Sequence, residues 1–131
     1  MKPRQARADV PAYVTRDGSE IRELMHPAVQ GNRQQSLAEA LVQPGQATVL
    51  HVHEISEELY HVLAGRGRMR LGGECFEVGP GDTVCILPGM PHNITALGTE
   101  PLRFLCCCAP AYSHADTRLL EDGTAGGMAG A

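Results

Sequence analysis

Two histidines separated by one residue, His51 and His53, are the side chains of this 131-residue chain best placed to do chemistry. Alternate positions of an extended strand face the same way, so a His-x-His pair sets two imidazoles side by side, as a single metal ion requires. Beyond them Glu57-Glu58 opens another strand-like stretch, and His92 follows the tight turn Pro88-Gly89-Met90-Pro91. Three neutral imidazoles and one carboxylate make an N3O donor set suited to Mn, Fe, Co, Ni, Cu or Zn, with positions left for water or substrate. A histidine alone in a strand is ordinarily a satisfied core or surface residue. The spacing of all these residues together is what favours a site.

These side chains need strands to carry them. Gly and Pro recur at short intervals from Pro44-Gly45 to Pro101, which leaves no room for long helices. Between them lie runs rich in Val, Ile, Leu, Thr, Phe or Cys: 36–42, 48–53, 58–64, 68–71, 74–78, 83–87, 92–96 and 102–109. Gly72-Gly73 predicts a two-residue hairpin, and Gly81-Asp82 and Gly98-Thr99 mark further reversals. Strands so evenly spaced predict an all-β fold, an antiparallel sandwich or jelly-roll barrel with short extensions at both ends. Asp17-Gly18 is expected to close one more hairpin, between 13–16 and 19–24. Its competitor is a helical turn, because Ile21, Leu24 and Met25 fall at helical spacing. Ser113 and Asp116 predict a helix start ahead of Leu119-Leu120. One domain over 13–121 is expected, with a mobile arm at 1–12 and a mobile glycine-rich tail at 122–131.

The run Gly45-x5-His51-x-His53-x4-Glu58-x6-Gly65 resembles the first motif of the cupin superfamily, and Gly81-x5-Leu87-Pro88-Gly89-Met90-Pro91-His92 resembles the second. The second departs twice: Leu87 stands where that motif has proline and Ala96 where it has asparagine, although Pro88 is adjacent and Asn93 follows His92. The resemblance covers 36–109. It implies a small jelly-roll barrel, commonly a homodimer, with His51, His53, Glu58 and His92 as ligands of one divalent transition metal ion. Parity agrees with Glu58 over Glu57, since Glu58, Tyr60 and Val62 share one strand face. Glu54 and Glu57 then read as solvated carboxylates.

Other residues have plainer readings. His61 has the parity opposite to Glu58 and reads as structural or interfacial, and His26 and His114 as exposed. Arg66, Arg68 and Arg70 alternate with Gly67, Met69 and Leu71, a polar outer face over an apolar inner one. In Leu102–Cys108 both faces are apolar, which suggests that a partner subunit covers the outer one. The five cysteines, three of them adjacent at Cys106–Cys108, read as reduced, small, buried side chains with no cue for activation.

Composition bounds the partners. Eleven Lys and Arg against fifteen Asp and Glu give a net charge of −4, which argues against nucleic acid. The apolar runs are too short for a membrane helix and the start lacks a leader's apolar stretch, so a cytoplasmic protein is expected. A divalent ion against one carboxylate leaves the site net positive and favours an anionic oxygen ligand. That points to an enzyme on a small sugar acid, keto acid or similar metabolite: isomerisation, ketonisation or decarboxylation, or dioxygenation with iron. Tyr60, Arg103 and Asn93 are the polar candidates to orient a substrate or carry protons. The reading from a different class is a non-catalytic module that binds a metal or small ligand.

Overall fold

The computed structural model describes residues 3–120. The expected tail at 122–131 and Lys2 of the expected arm lie outside the described residues. Eleven strands are described: β1 (Ala12–Val14), β2 (Glu20–Met25), β3 (Ser36–Val42), β4 (His51–His53), β5 (Glu57–Ala64), β6 (Arg66–Leu71), β7 (Glu74–Val78), β8 (Thr83–Ile86), β9 (His92–Leu97), β10 (Leu102–Ala109) and β11 (Thr117–Leu119). They form two antiparallel sheets, β1-β2-β3-β10-β5-β8 and β11-β4-β9-β6-β7. The all-β architecture is the one expected from the spacing of Gly and Pro.

Alternation decides which way each strand faces. On β5, Glu58, Tyr60 and Val62 are buried while Glu57, Leu59 and Leu63 are exposed; on β10, Leu102, Phe104, Cys106 and Cys108 point inward. The inner faces meet in one core that includes Val62, Ile86, Leu102 and Phe104 from one sheet and Met69 and Ile94 from the other. Full burial of side chains of this size contributes about 1.5–3 kcal/mol each. Gly65, between β5 and β6, has φ +81°, and a Cβ there would overlap the Pro101 carbonyl oxygen. The chain can turn from one sheet into the other at that point because the residue has no side chain.

Several local expectations resolve. The Asp17-Gly18 turn closes a hairpin, β1 pairing with β2 from Ala12↔Arg22 to Val14↔Glu20, so the strand reading holds over the helical turn. Gly72-Gly73 joins β6 to β7 directly, with Leu71 opposite Glu74. The helix expected after Ser113 is a single 3-10 turn, His114–Asp116, capped by the Ser113 side chain accepting from Ala115 N at 3.1 Å. It stops because Thr117–Leu119 pairs with β4 as a strand, and ladder bonds outweigh a helix of one turn. Cys106 and Cys108 are buried as expected, but Cys75 and Cys85 are exposed, since each falls on the solvent side of its strand. In the segment expected as a mobile arm, the Arg7 guanidinium donates twice to Glu39, at 2.8 and 2.7 Å, and Val10 is buried.

Candidate metal centre

His51 and His53 occupy the two ends of β4, and His92, the first residue of β9, stands directly opposite His51 in the ladder. All three imidazoles therefore come from the five-stranded sheet. Glu58 comes from β5 of the facing sheet, and one donor atom from each of the four residues lies within 4.8 Å of the others. All four side chains are at least nine-tenths buried. The His51 and His92 ring centroids are 4.2 Å apart.

The far nitrogen of each ring is occupied. His51 Nδ1 donates to the Val49 carbonyl at 2.7 Å and His92 Nδ1 to the Met90 carbonyl at 2.9 Å. His53 Nδ1 lies 3.2 Å from Thr117 Oγ1, whose own proton goes to the Ser113 carbonyl at 2.9 Å, so the imidazole is the donor there too. The network thus assigns Nδ1–H to all three rings and leaves every Nε2 with a lone pair. Two of these Nε2 atoms face Glu58 Oε1, at 3.3 Å from His53 and 3.5 Å from His92, without hydrogen-bond alignment. Glu58 Oε1 and His92 Nε2 are buried polar atoms with no hydrogen-bond partner. Buried lone pairs aimed at one another need a cation between them, and the donor set fits a transition metal.

The protonation states agree. Burial alone would lift the Glu58 carboxyl, but positive charge on the His53 and His92 side outweighs it and holds the group well below the usual carboxylate range, the same effect that a cation among these atoms would have. Burial, reinforced by His92, pushes His51 down to about 4 and keeps it neutral. Burial lowers His53 as well, yet Glu58 beside it wins and the net shift is upward. Glu58 Oε2 accepts a hydrogen bond from the Cys108 thiol at 3.3 Å, and burial pushes that thiol up so that the proton stays on sulfur. Burial raises Cys106 likewise, so neither inward cysteine is a thiolate.

His51, His53 and Glu58 line a pocket of about 540 Å3, counted with its open mouth, and His92 is fully buried beside them. Of the three polar candidates, only Tyr60 is brought to it. Its ring centroid stands 6.0 Å from that of His92, and burial, with Glu58 next, pushes its phenol far up. Asn93 faces the other side of β9, where its amide donates to the Thr48 carbonyl at 3.2 Å and secures the approach to β4. Arg103 is on the outer face of β10, 3.7 Å from Glu39. His61 also points outward, its Nδ1 2.8 Å from Thr83 Oγ1. Sequence reasoning missed Tyr13, Asp17, Glu23 and Tyr112, which line the pocket from β1, β2 and the segments beside them. The alternation of Ile21 with Glu23 was the available signal for one of them. Asp17 Oδ2 approaches His51 Nε2 at 3.8 Å, and Tyr112 Oη bonds to His114 Nδ1 at 2.9 Å.

Two antiparallel sheets enclosing a buried three-histidine, one-carboxylate pocket define the cupin class, and the family model described as Cupin domain matches residues 38–108. The chain belongs to that family. It is 54% identical over 109 residues to the uncharacterized protein MJ1618 of Methanocaldococcus jannaschii, covering 83% of this chain and 87% of that one. It is 29% identical over 105 residues to the polyketide synthase CurC of Streptomyces cyaneus, with 76% and 68% covered. The structure of the polyketide cyclase RemF from Streptomyces resistomycificus superposes with a TM-score of 0.78 at 29% identity, over 92% of this chain and 87% of that one.

Proposed function

We propose that this cupin is a metal-dependent enzyme that moves protons on a small carbonyl compound, in the manner of an isomerase or cyclase. The observation that carries the reading is the pair of orphaned atoms, Glu58 Oε1 and His92 Nε2, buried beside a pocket open to solvent that Glu58 itself lines. His51, His53 and His92 would hold the ion through Nε2 and Glu58 through Oε1. A divalent ion there supplies Lewis acidity toward a bound carbonyl and charge for an enolate oxygen. Tyr60, protonated and buried in the same pocket, is the proton donor this geometry offers. Tyr112, hydrogen-bonded to exposed His114, links the mouth to solvent protons. The polyketide synthase CurC and the polyketide cyclase RemF, as relatives, support a carbonyl-bearing substrate.

The outward side chains Leu59 and Leu63 of β5 are exposed beside the half-buried Leu105 and Cys107 of β10, and a second copy of the chain covers them in this reading. Metal content of the purified protein, against the double variant His51→Ala, His53→Ala, tests the centre: about one ion per chain is expected in the first and none in the second. Solvent deuterium uptake by dihydroxyacetone, followed by NMR, tests the chemistry. Uptake by the loaded protein and none by the double variant is the expected result. Full metal content without uptake points to a binding module.

A further inference from the structure

The pocket has a second polar end that the metal reading leaves unused. Glu23 shares the inner face of β2 with Ile21, and Glu23, Ala38, Cys106 and Tyr60 stand in one register row across β2, β3, β10 and β5. Three strand spacings place the Glu23 and Tyr60 backbones about 14 Å apart, and the small side chains of Ala38 and Cys106 between them leave the space open. Glu23 Oε1 is buried and has no hydrogen-bond partner, while the Tyr13 hydroxyl lies beside the carboxyl. An orphaned carboxylate oxygen in a pocket wall is completed by a hydroxyl donor from a ligand. Charge narrows the ligand further. Among the described residues no Lys or Arg lines this pocket, and neither residue type follows Arg118 in the sequence. Arg16, next to Asp17 in the chain, is spent on the carbonyls of His114 and Thr117. Asp17 and Glu58 together match the charge of one divalent ion, so the net positive site expected from sequence is neutralised; burial raises the Glu23 carboxyl, and Glu23, when ionised, tips the remainder negative.

We propose that the pocket selects an uncharged, hydroxyl-bearing carbonyl compound and turns away carboxylates such as sugar acids and keto acids, with Glu23 as the residue that meets the substrate's distal hydroxyl. This rests on the metal-dependent reading above and names its substrate class. Kojic acid and comenic acid test it, because both present the same hydroxy-ketone to a metal and differ only in a hydroxymethyl or a carboxylate at the other end. Calorimetric titration of the zinc-loaded protein is expected to show kojic acid bound about tenfold tighter, like charges being the discriminating term. Glu23→Gln brings the two affinities within about threefold, and Glu23→Asp, which keeps the charge, preserves the preference. Equal affinity in the wild type, or a preference unchanged in Glu23→Gln, overturns the proposal. Zinc content measured on each sample separates the failures: loaded protein without discrimination overturns this inference and leaves the metal centre standing, whereas protein that takes up no zinc overturns the metal centre and this inference with it.

Discussion

Glu58 and Cys108 show how one carboxylate is divided between two tasks. Oε2 is held by the thiol, which leaves Oε1 turned toward His53 and His92. Glu58→Gln removes the charge and turns an amide toward two lone pairs, and loss of at least a hundredfold in zinc affinity is expected from competition with a chelating dye. Cys108→Ala frees Oε2 and is expected to cost about tenfold, with Cys108→Ser restoring most of it. The phenols give a readout that needs no metal. Burial and Glu23 push Tyr13 up to about 12, and burial pushes Tyr60 well above its ordinary 10. In an alkaline titration followed by phenolate absorbance, Tyr13→Phe should therefore remove a step near pH 12. The sign for stability follows: the unfolded chain releases these protons first, so the contribution of Tyr13 is complete below pH 10 and disappears as pH climbs toward 12. At this scale the His51 and His53 pair could be read from spacing because alternate strand positions share a face, whereas Glu58 and His92, from other strands, came with the motif resemblance. Asp17 and Glu23 could not, since their place in the pocket depends on β2 pairing with β3, a contact no local pattern encodes.

Elements were legible where their signal was local. The Gly72-Gly73 hairpin and the outward arginines of β6 follow from turn chemistry and alternation. The 3-10 turn after Ser113 was not, because its end is set by Thr117 pairing with His53 across the sheet. That pairing has its own use, since the same Thr117 hydroxyl orients the His53 ring. The 48–53 run shortens to a three-residue strand for a related reason: Thr48 accepts from Ile94 N at 3.1 Å and from the Asn93 amide, so it serves as a brace for β9. Gly65 is the element-scale test. Gly65→Ala places a methyl against the Pro101 carbonyl at a positive φ, and a loss of about 2 kcal/mol or more is expected in urea denaturation, without change in the metal donors.

For the whole molecule, the two exposed leucines of β5 bear on assembly. Leu59→Glu with Leu63→Glu is expected to convert the dimer proposed above to a folded monomer in analytical ultracentrifugation. The core itself should be intolerant: Phe104→Ala, at a side chain 1% exposed between Tyr60 and the β3 alanines, is expected to cost about 3–5 kcal/mol. The division of the donor set between the sheets has a wider consequence. Three imidazoles hang from one layer and the carboxylate from the other, so a bound ion works as a rivet through the sandwich. Ligand that binds only the folded state adds about 2.7 kcal/mol at a hundred times its dissociation constant. Unfolding would then release the ion as well as the chain, and a chelator would lower the melting temperature of the wild type while leaving that of Glu58→Gln nearly unmoved. With the proposed ion bound, the supply of metal in the surroundings would become a setting for how long the folded protein survives, quite apart from whether it turns over a substrate.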